Sequence, residues 1–244
     1  MKVAICVGGL TYPDSNKLMK ELKNTFPDYP IFYGVWKGRE TELSKELNAF
    51  VYDEFEPKYH PYLDIDKNTW PPKIKDIVEK MHRHGGINST TMKMIPKAWH
   101  QTKQIIMHSY MLKDIPEEYD MIIRTRFDIW LYDKTIPYNK FVEESYNENK
   151  AIGFSRKLSS NNGPYWSAKG TNRHNWWEGF LQDLIIMHPR KLFDEKRMWE
   201  LHNNKKLLAA EFGWYQVLSE PHGSNHDCYF TRLNMTSRDG YRKI

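Results

Sequence analysis

Apolar and polar positions alternate along the first half of the chain in a pattern that predicts strands separated by helices. Residues 2–9 form an apolar run that ends in a glycine pair, which predicts a buried strand and a tight turn. Leu18, Leu22 and Phe26 recur at helical spacing and predict a helix with one buried face. Strands are predicted at 31–36 and 49–55, with a short helix at 40–47. This order predicts a parallel sheet with right-handed crossovers, as in Rossmann-like nucleotide-binding folds.

The pattern after residue 55 begins with an irregular stretch at 56–72 that is rich in Pro, Tyr and Asp. Helices are expected at 74–84, 97–113, 189–203 and 207–218, and strands at 119–128, 151–154 and 228–233. The stretch 155–176 is rich in Ser, Asn and Gly, holds two tryptophans and has no regular period. Loops of that length commonly bind ligands or close over them, so we expect a binding loop or lid there.

Composition places the chain among globular proteins with one sizeable core. Of its 244 residues 40% are hydrophobic and 27% charged, and the mean hydropathy is -0.76. No apolar run approaches the roughly 20 residues of a membrane span, so no transmembrane segment is expected. Cys6 and Cys228 lie in apolar segments and are expected to be buried free thiols.

Charge narrows the possible partners. Lys and Arg number 36 against 31 Asp and Glu, a formal net charge of +5, and the excess is concentrated at 155–177 and in the C-terminal residues. That balance allows an anionic ligand, but there is no basic stripe along one element, so no nucleic acid partner is expected. The chain also has no phosphate-binding P-loop, nucleophile elbow or dinucleotide glycine motif, which argues against ATPase, hydrolase and dehydrogenase functions.

Candidate chemistry lies at the end of the predicted strand 119–128. Arg124, Arg126 and Asp128 alternate, so on an extended strand they would share one face. Two guanidiniums and a carboxylate suit a diphosphate, because arginine donates paired hydrogen bonds to phosphate oxygens and a carboxylate can hold a bridging divalent cation. The alternative is an internal ion pair between Asp128 and one of its own arginines or Lys134.

The run at 122–128, the strand–helix start and the Glu-Phe-Gly-Trp-Tyr segment at 211–215 together resemble glycosyltransferases of the GT-A fold. The resemblance is strongest to WavE-like lipopolysaccharide glycosyltransferases and related enzymes of large algal viruses. It implies a single α/β domain of GT-A type, with a Rossmann-like, mostly parallel sheet flanked by helices. It also implies a nucleotide-binding half at 1–128 and an acceptor and lid half at 129–244, with transfer of a sugar from a UDP- or GDP-sugar to a glycan or glycolipid.

The resemblance also implies roles for particular residues. Asp128 stands at the family's metal position, which implies Mn²⁺ or Mg²⁺, but Arg126 replaces the first Asp of the usual Asp-x-Asp motif and can itself neutralise phosphate charge. His226 would be a second metal ligand, and Glu211 or Asp183 the catalytic carboxylate. The expected nucleotide and substrate contacts are Gly8, Gly9, Leu10, Tyr12, Gln101, Gln104, Arg124, Arg126, Arg156 and Arg173.

Other interpretations of these residues remain open at the level of sequence. The glycine loop could be an ordinary strand–helix turn, the glutamines solvated, and either carboxylate a helix-start residue. The whole chain could be a non-catalytic nucleotide-sugar or glycan-binding protein, or a nucleotidyltransferase, although the first loop lacks the basic residues expected of the latter. Because the first strand starts without a leader, we expect a cytoplasmic protein, which means the host cytoplasm if the source is viral.

Overall fold

A mixed β-sheet runs through both halves of the chain. The computed structural model describes residues 1–12, 14–54, 59, 95–130, 136–156, 165–167, 181–208, 210–231 and 234–235. The sheet has eight strands: β1 (Val3–Gly8), β2 (Ile31–Trp36), β3 (Phe50–Tyr52), β4 (Met121–Thr125), β6 (Ala151–Arg156), β7 (Tyr165–Ser167), β8 (Ile185–Pro189) and β9 (His226–Thr231), in the order β3-β2-β1-β4-β8-β6-β9-β7. Two short strands, β5 (Ile129–Trp130) and β10 (Asn234–Met235), pair separately.

Strand direction defines two opposite edges of this sheet. Strands β1 to β4 are mutually parallel where they pair, whereas β8 runs antiparallel between β4 and β6. Strand β9 is parallel to β6, and β7 is antiparallel to β9. The carboxyl ends of β1, β2, β3, β4 and β6 therefore meet at one edge, where β8 begins. We call this the carboxyl edge and the other the amino edge.

Helices cover both faces of the sheet. They are α1 (Ser15–Thr25), α2 (Glu42–Glu46), α3 (Ile95–Asp114), α4 (Tyr138–Asn147), α5 (Glu195–Asn203) and α6 (Ala210–Leu218). Side chains of β1 alternate between two apolar layers. Ala4 and Cys6 pack in a layer with α3, α5 and α6, while Val3, Ile5 and Val7 pack in a layer with α1 and α4. The predicted fold class, a Rossmann-like α/β sheet flanked by helices, is confirmed.

Helix α3 is held by its C-terminal end. The guanidinium of Arg190, in the turn after β8, donates to the carbonyl oxygens of Leu112, Ile115 (3.0 Å) and Pro116 (2.7 Å). Carbonyl groups at a helix end have no partner within the helix, and a cation there also complements the helix dipole. This contact anchors α3 to the sheet and so positions the polar residues nearer its other end.

The predicted helix at 189–203 is wrong over its first part. Residues Ile185–Pro189 form strand β8, a short turn of 3-10 helix follows at Arg190–Leu192, and α5 begins only at Glu195. The run 184–187 is apolar without strand alternation because β8 lies inside the sheet and both of its faces are covered by core layers. Asp194 starts the helix, since its Oδ1 accepts a hydrogen bond from the amide of Arg197 at 2.8 Å.

Other boundaries differ by a few residues. Strand β9 starts at His226 rather than at 228, β3 is limited to Phe50–Tyr52, and β7 lies inside the predicted loop 155–176. The predicted helix at 74–84 and most of the predicted irregular stretch lie outside the described residues. Both cysteines are buried free thiols, as expected, and burial raises the pKa of each to about 12. Among the helices described, none is long and apolar enough to cross a membrane.

Candidate functional site

A cleft opens at the carboxyl edge of the sheet. It has a volume of about 420 Å³, within the range of roughly 300 to 1,000 Å³ that small-molecule sites occupy. Ligands of open α/β sheets bind at this edge, because the loops after the strands form a crevice there. The described residues that line it are Gly8, Gly9, Leu10, Tyr12, Trp36, Arg39, Glu54, Gln101, Lys103, Gln104, Arg126, Phe127 and Asp128.

The loop after β1 forms one wall, and its backbone approaches helix α3 closely. Gly9 has a φ of +125°, which side-chain-bearing residues rarely adopt, and a Cβ there would lie 2.8 Å from Nε2 of Gln104. The amide of Gly9 donates to the carbonyl of Gly34 on β2 at 3.1 Å. Glycine is therefore required at position 9 both by conformation and by the contact with Gln104.

A buried serine ties this loop to the segment after β4. Oγ of Ser15 accepts a hydrogen bond from the amide of Tyr12 at 2.8 Å and donates to the carbonyl of Phe127 at 3.0 Å. Ser15 is fully buried, so the two bonds have no competition from solvent. As a result Tyr12 in the first loop and the charged turn at 126–128 are held in fixed positions relative to each other.

Arg126 and Asp128 form a bidentate ion pair in the cleft wall. Nε of Arg126 donates to Oδ1 of Asp128 at 2.9 Å, and Nη2 donates to Oδ2 at 2.7 Å. Burial alone would lower the pKa of Arg126, but the charges of Asp128 and Asp183 outweigh it and raise this pKa. Strand β4 ends at Thr125, and the turn that follows folds Asp128 back onto Arg126. The expectation of one extended strand to residue 128 is therefore wrong.

Arg124 lies behind the cleft wall rather than in it. Its Nη2 donates to Oε1 of Gln104 at 3.1 Å, and its Nη1 donates to the carbonyl oxygen of Asp183. The guanidinium carbon lies 4.8 Å from the ring centroid of Trp214, a cation–π contact. Burial lowers the pKa of Arg124 to about 10. In this arrangement Arg124 does not line the cleft and instead holds Gln104, which does.

The two candidate catalytic carboxylates lie beside Arg126. Oδ2 of Asp183, just before β8, is 4.0 Å from Nη1 of Arg126, and Glu211 lies in the first turn of α6. The amide of Leu181 donates to the carbonyl of Glu211 at 3.1 Å, which joins the two segments. Burial, and next the charge of Asp183, raise the pKa of Glu211 well above its ordinary value of 4.5. Neither carboxylate is among the described residues of the cleft wall.

The structure does not bring His226 to Asp128. His226 opens β9 at the amino edge, opposite Ala151, whereas Asp128 follows β4 at the carboxyl edge. Its Nδ1 lies 2.8 Å from Oγ of Ser219, and its ring packs against Tyr215. The two predicted metal ligands are therefore separated by the length of the sheet. The predicted contact residue Arg156 ends β6 at the carboxyl edge, and Arg173 lies outside the described residues.

The donor set at Asp128 does not fit a divalent cation. Both carboxylate oxygens accept hydrogen bonds from Arg126, and within the described ranges no group of three or more His, Cys, Asp or Glu side chains is arranged to hold a metal ion. A divalent cation of the Mg²⁺ or Mn²⁺ type needs carboxylate oxygens that can point at it. The internal ion pair that the sequence left as an alternative is the arrangement that the structure has.

Several cleft residues were not predicted from the sequence. Lys103 on α3 is almost fully buried. Its Nζ donates to Oε1 of Glu54, which follows β3, at 2.8 Å. Arg39, in the loop after β2, and Phe127, in the turn after β4, also line the cleft. Glu54 and Arg39 could have been found by examining the residue that follows every parallel strand. Lys103 carried no such signal, because most helical lysines are solvated.

Comparison with known proteins found similarity in solved structures only. No protein-family model matches the chain, and no curated protein matches it. A glycosyltransferase involved in the glycosylation of the major capsid of PBCV-1 is 9% identical, with a TM-score of 0.43, over 93% of this chain and 82% of that one. A mannose-1-phosphate geranyltransferase from Thermus thermophilus is 10% identical, with a TM-score of 0.44, over 98% and 76%.

Mouse xyloside xylosyltransferase 1 in its apo form is a third such structure. It is 11% identical, with a TM-score of 0.38, over 93% of this chain and 84% of that one. Similarities at these values carry no residue roles from one protein to another. The function of this chain therefore has to be argued from its own cleft.

Proposed function

We propose that the protein is a glycosyltransferase that transfers a sugar from a UDP- or GDP-sugar to a glycan or glycolipid acceptor. One observation supports this most: the cleft at the carboxyl edge places a glycine loop, aromatic rings and a guanidinium within one cavity. A nucleotide diphosphate sugar offers a planar base, a charged diphosphate and a polar sugar, so it matches those three kinds of surface.

Different parts of the wall suit different parts of such a donor. Tyr12 offers a ring on which a base can stack, and the buried Trp36 closes the wall beside it. Arg126 offers a cation to the diphosphate, and Lys103 lies in the same wall. Gln101 and Gln104 offer amide groups for the hydroxyls of the ribose or the sugar.

The transfer step also needs a group that accepts a proton. As the acceptor oxygen forms its bond to the anomeric carbon, the bond to the diphosphate breaks and the acceptor hydroxyl loses its proton. Asp183 lies next to Arg126, and Glu211 is close enough to both for their charges to act on it. A carboxyl group whose pKa is raised to about 8 is a stronger base than an ordinary carboxylate, so its ionised form is well suited to take up that proton. We assign this role to Glu211, with Asp183 as the neighbour that raises its pKa.

The direct test is a transfer assay with a panel of UDP- and GDP-sugars, read as release of the nucleotide diphosphate. We expect release with at least one donor, and a drop in kcat of about 100-fold or more in Glu211→Gln, the usual size of a lost acid–base group. Binding of the donor, measured by calorimetry, should remain within about threefold, since Glu211 lies outside the described cleft wall. Glu42→Gln, which alters an exposed pair with Lys45, is the matched control.

Two results would contradict the proposal in different ways. Donor binding without release or transfer under any condition would identify a non-catalytic nucleotide-sugar-binding protein. Absence of binding by every nucleotide and nucleotide sugar in the panel would remove the nucleotide assignment of the cleft altogether.

A further inference from the structure

Asp128 is held by Arg126 through both of its carboxylate oxygens, although the GT-A resemblance implies that it binds a metal. Its side chain is only 3% exposed, and each of its oxygens accepts one hydrogen bond from Arg126. A metal ion at this carboxylate would have to share its oxygens with the guanidinium or displace it from a largely buried pair. In either case it would lie beside the positive charge of Arg126, which opposes its binding.

Arg126 keeps hydrogen-bonding capacity that Asp128 does not use. A guanidinium has five N–H groups, and the pair with Asp128 occupies one on Nε and one on Nη2. Nη1 lies 4.0 Å from Oδ2 of Asp183, too far for a hydrogen bond. With 14% of its side chain exposed, Arg126 lines the cleft. Its remaining N–H groups are available to phosphate oxygens.

From these contacts we infer that Asp128 is a positioning residue that orients Arg126, and that the diphosphate binds to this guanidinium without a divalent cation. The inference rests on the proposed function, because it concerns the diphosphate of the same donor. A buried carboxylate that takes the Nε and Nη2 side of an arginine fixes the plane of the guanidinium. The chain itself then supplies positive charge that a metal would otherwise bring.

The first test measures binding of UDP and GDP by calorimetry in EDTA and again with Mn²⁺ or Mg²⁺. We expect the Kd of the nucleotide that binds to change by less than about threefold between the two conditions. Binding at least tenfold tighter with either cation would overturn the inference and leave the proposed function standing. Absence of binding in both conditions would contradict the proposed function, and the inference with it.

The second test separates positioning from metal binding by a double-mutant cycle. Asp128→Asn should weaken nucleotide binding about fivefold, because one oxygen and the charge that hold the guanidinium are lost. In an Arg126→Lys background, which keeps the charge but has no guanidinium to orient, the same change should cost less than about twofold. Equal losses in the two backgrounds would show that Asp128 acts independently of Arg126 and would overturn the inference.

Folding is monitored alongside. Each variant is compared by thermal unfolding and by Kd with Glu42→Gln, whose carboxylate forms an exposed pair with Lys45 and does not line the cleft. If Asp128→Asn fails to fold, Asp128→Glu replaces it, since it keeps the charge but moves the carboxylate outward by one methylene. That variant should also weaken binding, and Mn²⁺ should not restore it. Restoration by Mn²⁺ would instead indicate a metal ligand.

Discussion

Two buried ion clusters lie at opposite edges of the same sheet. The cleft cluster, at the carboxyl edge, consists of Arg126, Asp128 and Asp183. The Lys150 cluster, at the amino edge, consists of Lys150, just before β6, with Asp227 of β9 and Glu144 and Glu148 near the end of α4. Both contain a cation almost hidden from solvent beside a carboxylate that is more hidden still.

The two clusters differ in what their cations have left to offer. Nζ of Lys150 lies 2.6 to 2.7 Å from oxygens of Asp227, Glu144 and Glu148, so the three hydrogens of the ammonium are all engaged. Arg126, by contrast, has N–H groups beyond those that Asp128 accepts, and it borders a cavity. A buried charge alone thus does not mark a binding site. Spare hydrogen-bonding capacity next to a cavity does.

The largest effect is expected from breaking the Lys150 cluster. Lys150→Met leaves Asp227 buried without its cation, and loss of one partner of a buried pair typically costs about 3 to 5 kcal/mol of unfolding free energy. Urea unfolding measures this loss. Nucleotide Kd, determined below the unfolding transition, should stay within about twofold. Lys45→Met, which removes the cation of an exposed pair, should change stability by less than about 1 kcal/mol.

A smaller effect is expected from acid, through a pair of histidines that belongs to neither cluster. Nε2 of His108 lies 3.0 Å from Nε2 of His188, and Nδ1 of His188 lies 2.9 Å from the carbonyl of Pro189. Burial lowers the pKa of His188 to about 4 and that of His108 well below 6.5; the charges of Arg124 and Arg190 contribute to the latter shift.

Since both histidines are neutral in the folded protein, their contribution is complete above pH 6.5 and declines as the pH falls toward 4. For His188 alone the loss at pH 5 is about 2 kcal/mol. Urea unfolding at pH 7 and pH 5 measures it. The difference should shrink in His188→Gln and persist in His222→Gln, which changes an exposed histidine. A pH difference unaffected by His188→Gln would assign the acid sensitivity to other groups.

The smallest effect is expected at Glu211, and its sign is opposite to that of a change at Asp227, the carboxylate beside the other cation. Burial raises the pKa of Glu211. Its protonated carboxyl therefore contributes most to stability at low pH, and this contribution is lost as the pH rises through the raised pKa. The neutral Glu211→Gln should therefore stabilise the protein at pH 9, by an amount on the order of 1 kcal/mol. Asp227→Asn should destabilise it, because it removes the charge facing Lys150. Thermal unfolding at pH 9 measures whether each variant is more or less stable than the parent protein. Destabilisation by Glu211→Gln would contradict the raised pKa.

Much of the cleft was accessible to sequence reasoning because it follows from strand direction. Residues that end parallel strands or begin the loops after them meet at one edge, which is how Arg126 was predicted to lie at a site, whereas Gly9 and Tyr12 were implied by the resemblance. Gln104 was also implied by the resemblance, on a helix that the spacing of apolar residues predicted. Direct local signals of this kind depend only on spacing along the chain.

The remaining features depend on contacts between distant segments. Strand β8 was missed because a strand buried on both faces loses its alternation, and Arg124 was placed in the cleft because spacing does not reveal that Gln104 and Trp214 cover it. His226 was placed near Asp128 because the sequence does not show which edge β9 starts from. Each of these outcomes is decided by tertiary packing rather than by local pattern.

The position of β8 also affects how the protein is made. The neighbour of β4 on one side is β1, already synthesised, but its other neighbour is β8, and about sixty residues separate the end of β4 from the start of β8. At roughly 5 to 20 residues per second, that edge of β4 leaves the ribosome about 3 to 12 s before its partner. An apolar strand edge exposed for seconds can pair with other chains. Successful synthesis of this protein therefore depends on protecting the Met121–Thr125 edge until Ile185–Pro189 emerges.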